Sequence, residues 1–406
     1  MKRAILISVV LALAAAGWTA YVLYRPFRGY AGNLFLTLEP GTPALETARR
    51  LVDRGVLASR WPFLVCYTLG RPRRSLKAGE YLFDRPLRPI DVYRKLIHGD
   101  VYLHTVVIPE GSDRFDMARI LSQRLGISPQ DFLRASQRAE AIQDLDPGAA
   151  SLEGFLFPDT YRFPRSANAP TVIAAMLGRF RRVWETPAGA GDPLPHANLR
   201  EVLTLASLVE KETPSPEERP LIAGVFTNRL AKRMPLQCDP TVIYAARLDG
   251  RPIGLIQQSD LQFDSPYNTY RYAGLPPGPI ASPGEASIRA ALHPAATPYL
   301  YFVSNLHGGH IFARTLAEHQ KNVARYRREV AVLRQTDRAA SAGFGRTNPG
   351  SLQLGNQGVK AKSNQGAEKA EQETAHPRAL ARERPRARRG ARDSRPPEGA
   401  ARAPRS

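Results

Sequence analysis

The sequence predicts an α+β protein made of an N-terminal transmembrane helix, a small α/β region, a mixed α+β domain and a disordered basic tail. Three patterns support this fold class: an uncharged apolar run near the N-terminus, short β-runs that alternate with amphipathic helices, and a C-terminal stretch poor in bulky apolar residues. The chain has 406 residues, of which 43% are hydrophobic. It can therefore bury a sizeable core and is expected to form about two or three folded units.

The first element is an uncharged run over residues 4–24 that is long enough to span a bilayer. Trp18, Tyr21 and Tyr24 stand where an interfacial aromatic belt would lie. A cleaved signal peptide is the alternative, because small residues at 14–16 could serve processing. We favour the anchor because the apolar run continues past those alanines. Residues 1–3 are then cytoplasmic, since a short N-terminal arm normally stays inside.

Two copies of a strand–turn–helix pattern follow, over residues 34–57 and 104–127. Aligning Gly41 with Gly111 aligns four further identical pairs at one constant spacing. A third strand, turn and helix lie between the copies, over residues 76–99. Small units of this kind resemble the LysM module, which binds chitin-like and peptidoglycan glycans, so we predict a LysM-like region over 30–130. A purely structural α/β module is the alternative.

An aromatic-rich stretch over residues 152–161 contains two acids, Glu153 and Asp159. Aromatic rings beside a carboxylate suit a sugar-binding cleft, because pyranose rings present apolar faces and hydroxyl rims. Clusters of this kind more often form plain hydrophobic core. The predicted mixed α+β domain begins at this stretch and covers residues 150–334.

The central element of that domain is an apolar helix that ends in two carboxylates, Glu210 and Glu212. Apolar residues recur at helical spacing over 202–209, and Pro214 disfavours helical backbone at Thr213, so the helix should end there. The helix dipole and apolar neighbours both disfavour an ionised carboxylate at that position. One glutamate is therefore a candidate general acid, although such charge runs are usually solvated surface.

A second helix is predicted over residues 216–232, with Ser215 as N-cap and Glu218 completing a capping box. Pro220 lies early in that helix and can delay its start. A β-hairpin is expected over 299–312, followed by a closing helix over 318–334.

The tail over residues 337–406 is predicted to be disordered. It carries 15 Lys and Arg against 7 Asp and Glu, which contributes +8 of the formal +20 charge. Such a tail can attract nucleic acid, anionic lipid or an acidic cell-wall polymer. Cys66 and Cys238 are the only cysteines, so neither a disulfide framework nor a cysteine-based metal site is expected.

A succession of motifs in one order resembles the MltG (YceG-like) endolytic murein transglycosylases over about residues 34–330. These motifs are ASLVEKET, NRL, MPLQCDPTVIY, SPYNTY, GLPPGPI, IASPGEASIRAALHP, YLYFV and GGHIF. The resemblance implies a single-pass enzyme of the bacterial inner membrane with its catalytic domain on the periplasmic side. It implies peptidoglycan strands as substrate, peptidoglycan synthases as candidate partners, and no nucleic acid, cofactor or metal.

Enzymes of this family cut nascent peptidoglycan between N-acetylmuramic acid and N-acetylglucosamine, leave 1,6-anhydro-muramic acid ends and so end strand synthesis. Lytic transglycosylases generally carry a helix-terminal Glu followed by Ser or Thr, which favours Glu212 as the acid, with Glu210 as the alternative. The two lie about 200° apart on the helix, so only one can face the cleft. Six polar residues in the matching motifs are expected to line the glycan groove: Asn228, Gln237, Asp239, Tyr267, Asn268 and Tyr270. Cys238 stands where a small hydroxyl residue is expected, and either weakens a hydrogen bond or simply packs.

Two other functions remain open from the sequence. A hydrolytic muramidase needs a second acid, and Asp239 or Asp159 could supply it. A non-catalytic glycan-binding scaffold of the cell-wall machinery needs neither glutamate.

Overall fold

A computed structural model describes residues 2–70, 75–185 and 198–344. The first helix, α1 (Lys2–Tyr24), begins the described chain. Its segment Ile5–Tyr24 has a mean hydropathy of 2.1 and none of it is buried. Length and composition therefore fit a membrane-spanning anchor, as predicted, and a signal sequence passes the same test.

The first α/β unit has the order β-α-α-β-α. Its elements are β1 (Leu34–Leu38), α2 (Ala44–Asp53), α3 (Arg60–Leu69), β2 (Gly79–Phe83) and α4 (Pro89–His98). The two strands pair antiparallel, with Leu34 opposite Phe83 and Leu38 opposite Gly79. Alternate residues of both strands are buried against the helices, because successive side chains of a strand point to opposite faces. This unit has its own hydrophobic core.

The second unit repeats the β-α-α-β order. It consists of β3 (Leu103–Val107), α5 (Arg114–Leu125), α6 (Pro129–Ser136) and β4 (Thr160–Pro164), with β3 and β4 antiparallel. The predicted repeat of strand, turn and helix is confirmed. Gly41 and Gly111 both adopt positive φ, 79° and 73°, a conformation that glycine adopts without steric cost. The aligned leucines Leu51 and Leu121 are fully buried in both copies.

The two units differ in what they pack against. The second unit shares one continuous core with the helices and hairpin that follow, from Val106 to Phe302, whereas the first unit does not. The predicted region 30–130 is therefore divided between two cores. The reason is that β3 pairs with β4, which lies beyond residue 150 and carries the second unit into the C-terminal domain.

The C-terminal domain is mainly helical. After β4 come α7 (Ala169–Glu185), α8 (Leu199–Glu212), α9 (Arg219–Ala231), α10 (Asp239–Leu248), α11 (Glu285–Leu292), the hairpin β5 (Tyr301–Ser304) and β6 (His310–Ala313), and α12 (Leu316–Phe344). Two short 3₁₀ helices, Glu140–Ile142 and Asp260–Gln262, lie in connecting segments. The fold is thus mixed α+β, as predicted. The predicted hairpin is confirmed, with Phe302 opposite Phe312.

The central predicted helix is α8, and it packs against α9, α10 and α11. Every residue from Val202 to Val209 is buried. A helix that is buried on all sides lies in the middle of a core. Thr213 has extended backbone, with φ −135° and ψ 137°, which confirms the helix end before Pro214.

Two predicted boundaries are wrong. The capping box does not form: Ser215 donates its hydroxyl to Glu217, and α9 begins three residues later than predicted, at Arg219 with Pro220 in its first turn. Proline is tolerated in the first turn of a helix, because the backbone N–H groups of that turn have no partner within the helix. In addition, α12 continues to Phe344, so residues 337–344 are helical. The remainder of the predicted disordered tail, 345–406, lies outside the described residues.

Candidate active site

The candidate site lies at the C-terminal end of α8, where the two glutamates have different surroundings. The Glu210 side chain is 6% exposed, and its carboxylate forms an ion pair of 3.2 Å with Arg219, whose side chain is 8% exposed. Its other oxygen accepts a 3.0 Å hydrogen bond from the backbone N–H of Gly284. The charge of Glu210 is therefore neutralised inside the protein.

Glu212 lies on the other flank of α8. The thiol of Cys238 donates to the Glu212 Oε1 at 3.0 Å. As a whole residue Glu212 is partly buried, as Glu210 is. Cys238 itself is 1% exposed. The unusual cysteine therefore both packs and supplies a donor, although a thiol is a weak one.

Helix α10 and the loop before it bring polar groups beside Glu212. Asp239 begins α10, and its carboxylate accepts the hydroxyl of Tyr270 at 2.5 Å. Burial, followed by the Asp239 charge, raises the pKa of Tyr270 well above its ordinary value. Cys238 and Glu212 act in the same direction. Tyr270 therefore stays protonated and holds Asp239 in place.

Gln237 directly precedes Cys238 and is buried, in a backbone conformation that is rare for a residue with a side chain. Its φ is 51°, and its N–H donates to Thr269 O at 3.1 Å. Non-glycine residues with positive φ are uncommon and concentrate at functional sites. The conformation turns the chain so that Cys238 faces Glu212.

Arg229, from α9, holds this loop in place. Its guanidinium donates to Leu300 O at 2.7 Å and to Leu236 O at 3.0 Å. It also lies over the ring of Tyr301, with the guanidinium carbon 5.1 Å from the centroid. Arg229 thus connects α9, the loop before Cys238 and the hairpin. Sequence reasoning missed it, although it stands next to Asn228 in the NRL motif.

A small cavity of about 10 Å³ lies beside Glu212, which is about the volume that one water molecule needs. Its lining residues are Glu212, Phe226, Arg229, Leu236, Gln237, Phe302 and His319. His319, from α12, is 4% exposed and its Nδ1 contacts no hydrogen-bond partner among the described residues. Burial, with the nearby Arg229 charge, lowers the pKa of His319 to about 4. The ring is therefore neutral at physiological pH.

The other predicted groove residues have mainly structural contacts. The Asn228 amide donates to Thr297 O and Tyr299 O, and the fully buried Asn268 amide donates to Leu261 O and Phe263 O. Both asparagines therefore tie loops to the core. Tyr267 packs edge-on against Tyr244, with ring centroids 5.1 Å apart. Gln237, Asp239 and Tyr270 are the predicted residues that gather around Glu212.

The aromatic stretch over 152–161 belongs to the core. Phe155, Leu156 and Phe157 are buried, which favours the core interpretation over a sugar cleft. Glu153 is 3% exposed beside Arg114, and its Oε2 accepts the Tyr244 hydroxyl at 3.0 Å. Burial raises the pKa of Glu153 to about 7.

Of the two candidate second acids, Asp159 is engaged elsewhere. Its carboxylate pairs with Arg179 at 2.6 Å, and this hydrogen bond lowers its pKa. Asp239 is the candidate that lies next to Cys238, the donor to Glu212. Within the described ranges, no group of three or more His, Cys, Asp and Glu residues could hold a metal ion.

The chain has relatives among known proteins. The family model of the YceG-like family matches residues 36–325. The chain is 32% identical over 307 residues to the endolytic murein transglycosylase of Bacillus subtilis (strain 168), covering 72% of this chain and 84% of the relative.

Another relative is the endolytic murein transglycosylase of Streptococcus pneumoniae serotype 2 (strain D39), 32% identical over 305 residues. The match covers 68% of this chain and 54% of that protein, so this chain spans about half of the streptococcal relative. A crystal structure of a yceG-like protein from Listeria monocytogenes is 30% identical, with a TM-score of 0.47, and covers 71% of this chain and 98% of its own. The family match covers the candidate site and both repeated units except for the first two residues of β1, and the chain belongs to the YceG-like family.

Proposed function

We propose that this chain is an endolytic murein lytic transglycosylase in which Glu212 is the acid and base. One observation carries the choice of residue: the Glu210 carboxylate is ion-paired with Arg219, whereas the Glu212 carboxylate lies beside Cys238 on the other flank of α8. A proton-transferring carboxyl must reach the substrate, and the Glu210 carboxylate is held inside the protein by the Arg219 guanidinium and the Gly284 N–H. The shared name of the Bacillus and Streptococcus relatives supports the activity.

The proposed reaction uses one carboxyl group twice. Protonated Glu212 gives its proton to the glycosidic oxygen between N-acetylmuramic acid and N-acetylglucosamine, and the bond from that oxygen to C1 breaks. The muramyl C6 hydroxyl then attacks C1 and gives its proton to the Glu212 carboxylate. The product ends in 1,6-anhydro-muramic acid, no water is consumed, and Glu212 returns to its protonated form.

The neighbouring residues orient this carboxyl group. Cys238 donates to Oε1, which fixes the rotation of the Glu212 side chain. Tyr270 donates a hydrogen bond that holds the Asp239 carboxylate beside Cys238. From there Asp239 would place negative charge near C1 of the muramyl ring, where the oxocarbenium ion develops. Negative charge near that carbon stabilises the transition state.

The location of the enzyme follows from the N-terminal helix. We place α1 across the bacterial inner membrane, with the active domain on the periplasmic side. There the enzyme would cut nascent strands as they leave peptidoglycan synthases, which are its candidate partners, and so would end strand elongation. The LysM-like region over residues 30–130 would hold the glycan.

Mass analysis of the fragments that the purified protein releases from isolated glycan strands tests this proposal. Anhydro-muramic acid ends support a lytic transglycosylase. Reducing ends, heavier by one water, would instead indicate a hydrolytic muramidase in which Asp239 is the second acid. Binding of the strands without any cleavage would indicate a glycan-binding scaffold.

A further inference from the structure

Helix α3 in the first unit has an apolar face that the protein leaves uncovered. Pro62, Phe63 and Cys66 are buried in the unit's core. On its outer side, Trp61 is 64% exposed and Leu69 is 80% exposed. Its one charged residue is Arg60, at the first position. Tyr67 and Thr68 are also exposed on this side. Large apolar side chains exposed together mark a surface that protein or lipid covers.

The internal repeat supplies a comparison within the same chain. Helix α6 holds the corresponding position in the second β-α-α-β unit, and its exposed residues are Gln130, Asp131 and Arg134. The fold itself therefore accepts polar residues on the outside of this helix. The apolar outer face of α3 needs a different explanation.

The position of α3 indicates what covers that face. Both α3 and α4 lie against α1, and Leu23, close to the end of α1, packs on the core of the first unit. The Arg88 guanidinium lies over the ring of Tyr24, 5.5 Å from its centroid. The first unit is therefore attached to the end of the apolar segment Ile5–Tyr24 that carries the aromatic residues typical of a membrane interface.

Charge at both ends of α3 suits the same surroundings. The Arg60 guanidinium lies over the ring of Trp61, 5.5 Å from its centroid. In the sequence, Arg71, Arg73 and Arg74 follow the helix directly. Arginines beside tryptophan and leucine are the composition of helices that lie in the headgroup region, because the cations meet lipid phosphates and the apolar side chains meet the acyl chains.

We propose that α3 lies in the bilayer interface beside α1, with Trp61 and Leu69 buried in the boundary between headgroups and acyl chains. The partner is the phospholipid surface that α1 reaches at its C-terminal end, so the inference rests on α1 being the anchor. The first unit then contacts the membrane at two places, α1 and α3. This fixes its orientation and holds the rest of the protein at a constant angle to the membrane.

Tryptophan quenching by brominated phospholipids tests the proposal on the full chain in vesicles. One form keeps Trp61 alone, through Trp18→Phe and Trp184→Phe. The matched control carries Gln130→Trp on α6 in a chain whose three native tryptophans are replaced by Phe. A third form keeps Trp18 alone and reports on α1.

We expect Trp61 to emit at shorter wavelength than the Gln130→Trp probe and to be quenched several-fold more strongly. Adding Leu69→Asp, at a position too exposed to disturb the fold, should reduce the quenching of Trp61. Equal, weak quenching of Trp61 and the Gln130→Trp probe overturns the proposal. If Trp18 is quenched in that case, only the interfacial position of α3 is wrong; if Trp18 is also unquenched, the anchor is wrong with it.

Discussion

Replacing Glu210 by Gln should destabilise the protein without removing its activity. The carboxylate is 6% exposed, lies 3.2 Å from Arg219, and accepts the Gly284 N–H at 3.0 Å. Removing one partner of a buried ion pair costs about 3–5 kcal/mol, because the other charge stays buried and uncompensated. The amide oxygen keeps the Gly284 bond, and Glu110 remains 3.5 Å from Arg219. We therefore expect a loss of about 3 kcal/mol, at the lower end of that range.

Urea unfolding followed by circular dichroism at neutral pH measures this loss. Glu212→Gln on the same helix is the matched control, and it should lose less than Glu210→Gln because it leaves the buried ion pair of Glu210 and Arg219 intact. In an Arg219→Met background, Glu210→Gln should cost little, since no buried cation is then left unpaired. The reasoning is refuted if Glu210→Gln is as stable as the wild type. A folded but inactive Glu210→Gln protein would reverse the assignment of the two glutamates.

Three further predictions concern His319, Cys238 and the N-terminal helix. His319 is neutral when folded, with a pKa of about 4 against 6.5. Between pH 6.5 and pH 4 the unfolded state binds a proton at this residue that the folded state does not. The free energy of unfolding therefore decreases as the pH falls from 6.5 to 4. Wild type should lose up to about 3 kcal/mol more than His319→Gln over that window in urea titrations; equal losses would contradict the buried neutral ring. Cys238→Ala should slow glycan cleavage about two- to fivefold through loss of a weak donor, whereas Cys238→Ser should restore it; an unchanged rate for Cys238→Ala would remove the thiol from the site. Deleting residues 1–28 should leave cleavage of isolated glycan intact, because α1 supplies location and not chemistry; a folded but inactive protein would count against this.

Local patterns in the sequence were sufficient for much of the fold. The glycine at the same position of the two repeats has positive φ in both, and Pro214 ends α8 at Glu212, two residues before the proline. The two apolar runs of the hairpin were close enough in the sequence to be expected to pair, and they do. Each of these features depends on interactions within a few residues, which a sequence displays directly.

Long-range pairings could not be predicted in the same way. The pairing of β3 with β4 joins residues more than fifty positions apart, and it is this pairing that merges the second unit with the C-terminal domain. The start of α9 was misjudged because Ser215 bonds to Glu217, and Glu218 instead accepts the hydroxyl of Thr213. Glu218 also accepts the backbone N–H of His310, from β6. Local capping rules cannot anticipate a partner supplied by a distant strand.

In the site, too, local features could be predicted from the sequence and long-range contacts could not. The helical wheel separated Glu210 from Glu212, and the structure gives them different partners. The wheel could not reveal that Arg219 would neutralise Glu210, because that contact depends on the turn between α8 and α9. Asn228 was predicted from its motif to line the groove, yet its amide holds two backbone carbonyls. A polar residue in a motif supports the loop as readily as it contacts the ligand.

The central claim is that Glu212 transfers the proton in both steps of an intramolecular glycan cleavage. Mass analysis of fragments from purified glycan strands treated with the wild type and with Glu212→Gln tests it most directly. We expect anhydro-muramic acid ends from the wild type and none from a fully folded Glu212→Gln protein, since the amide keeps the shape but cannot transfer a proton. Anhydro ends from Glu212→Gln at the wild-type rate would contradict the account.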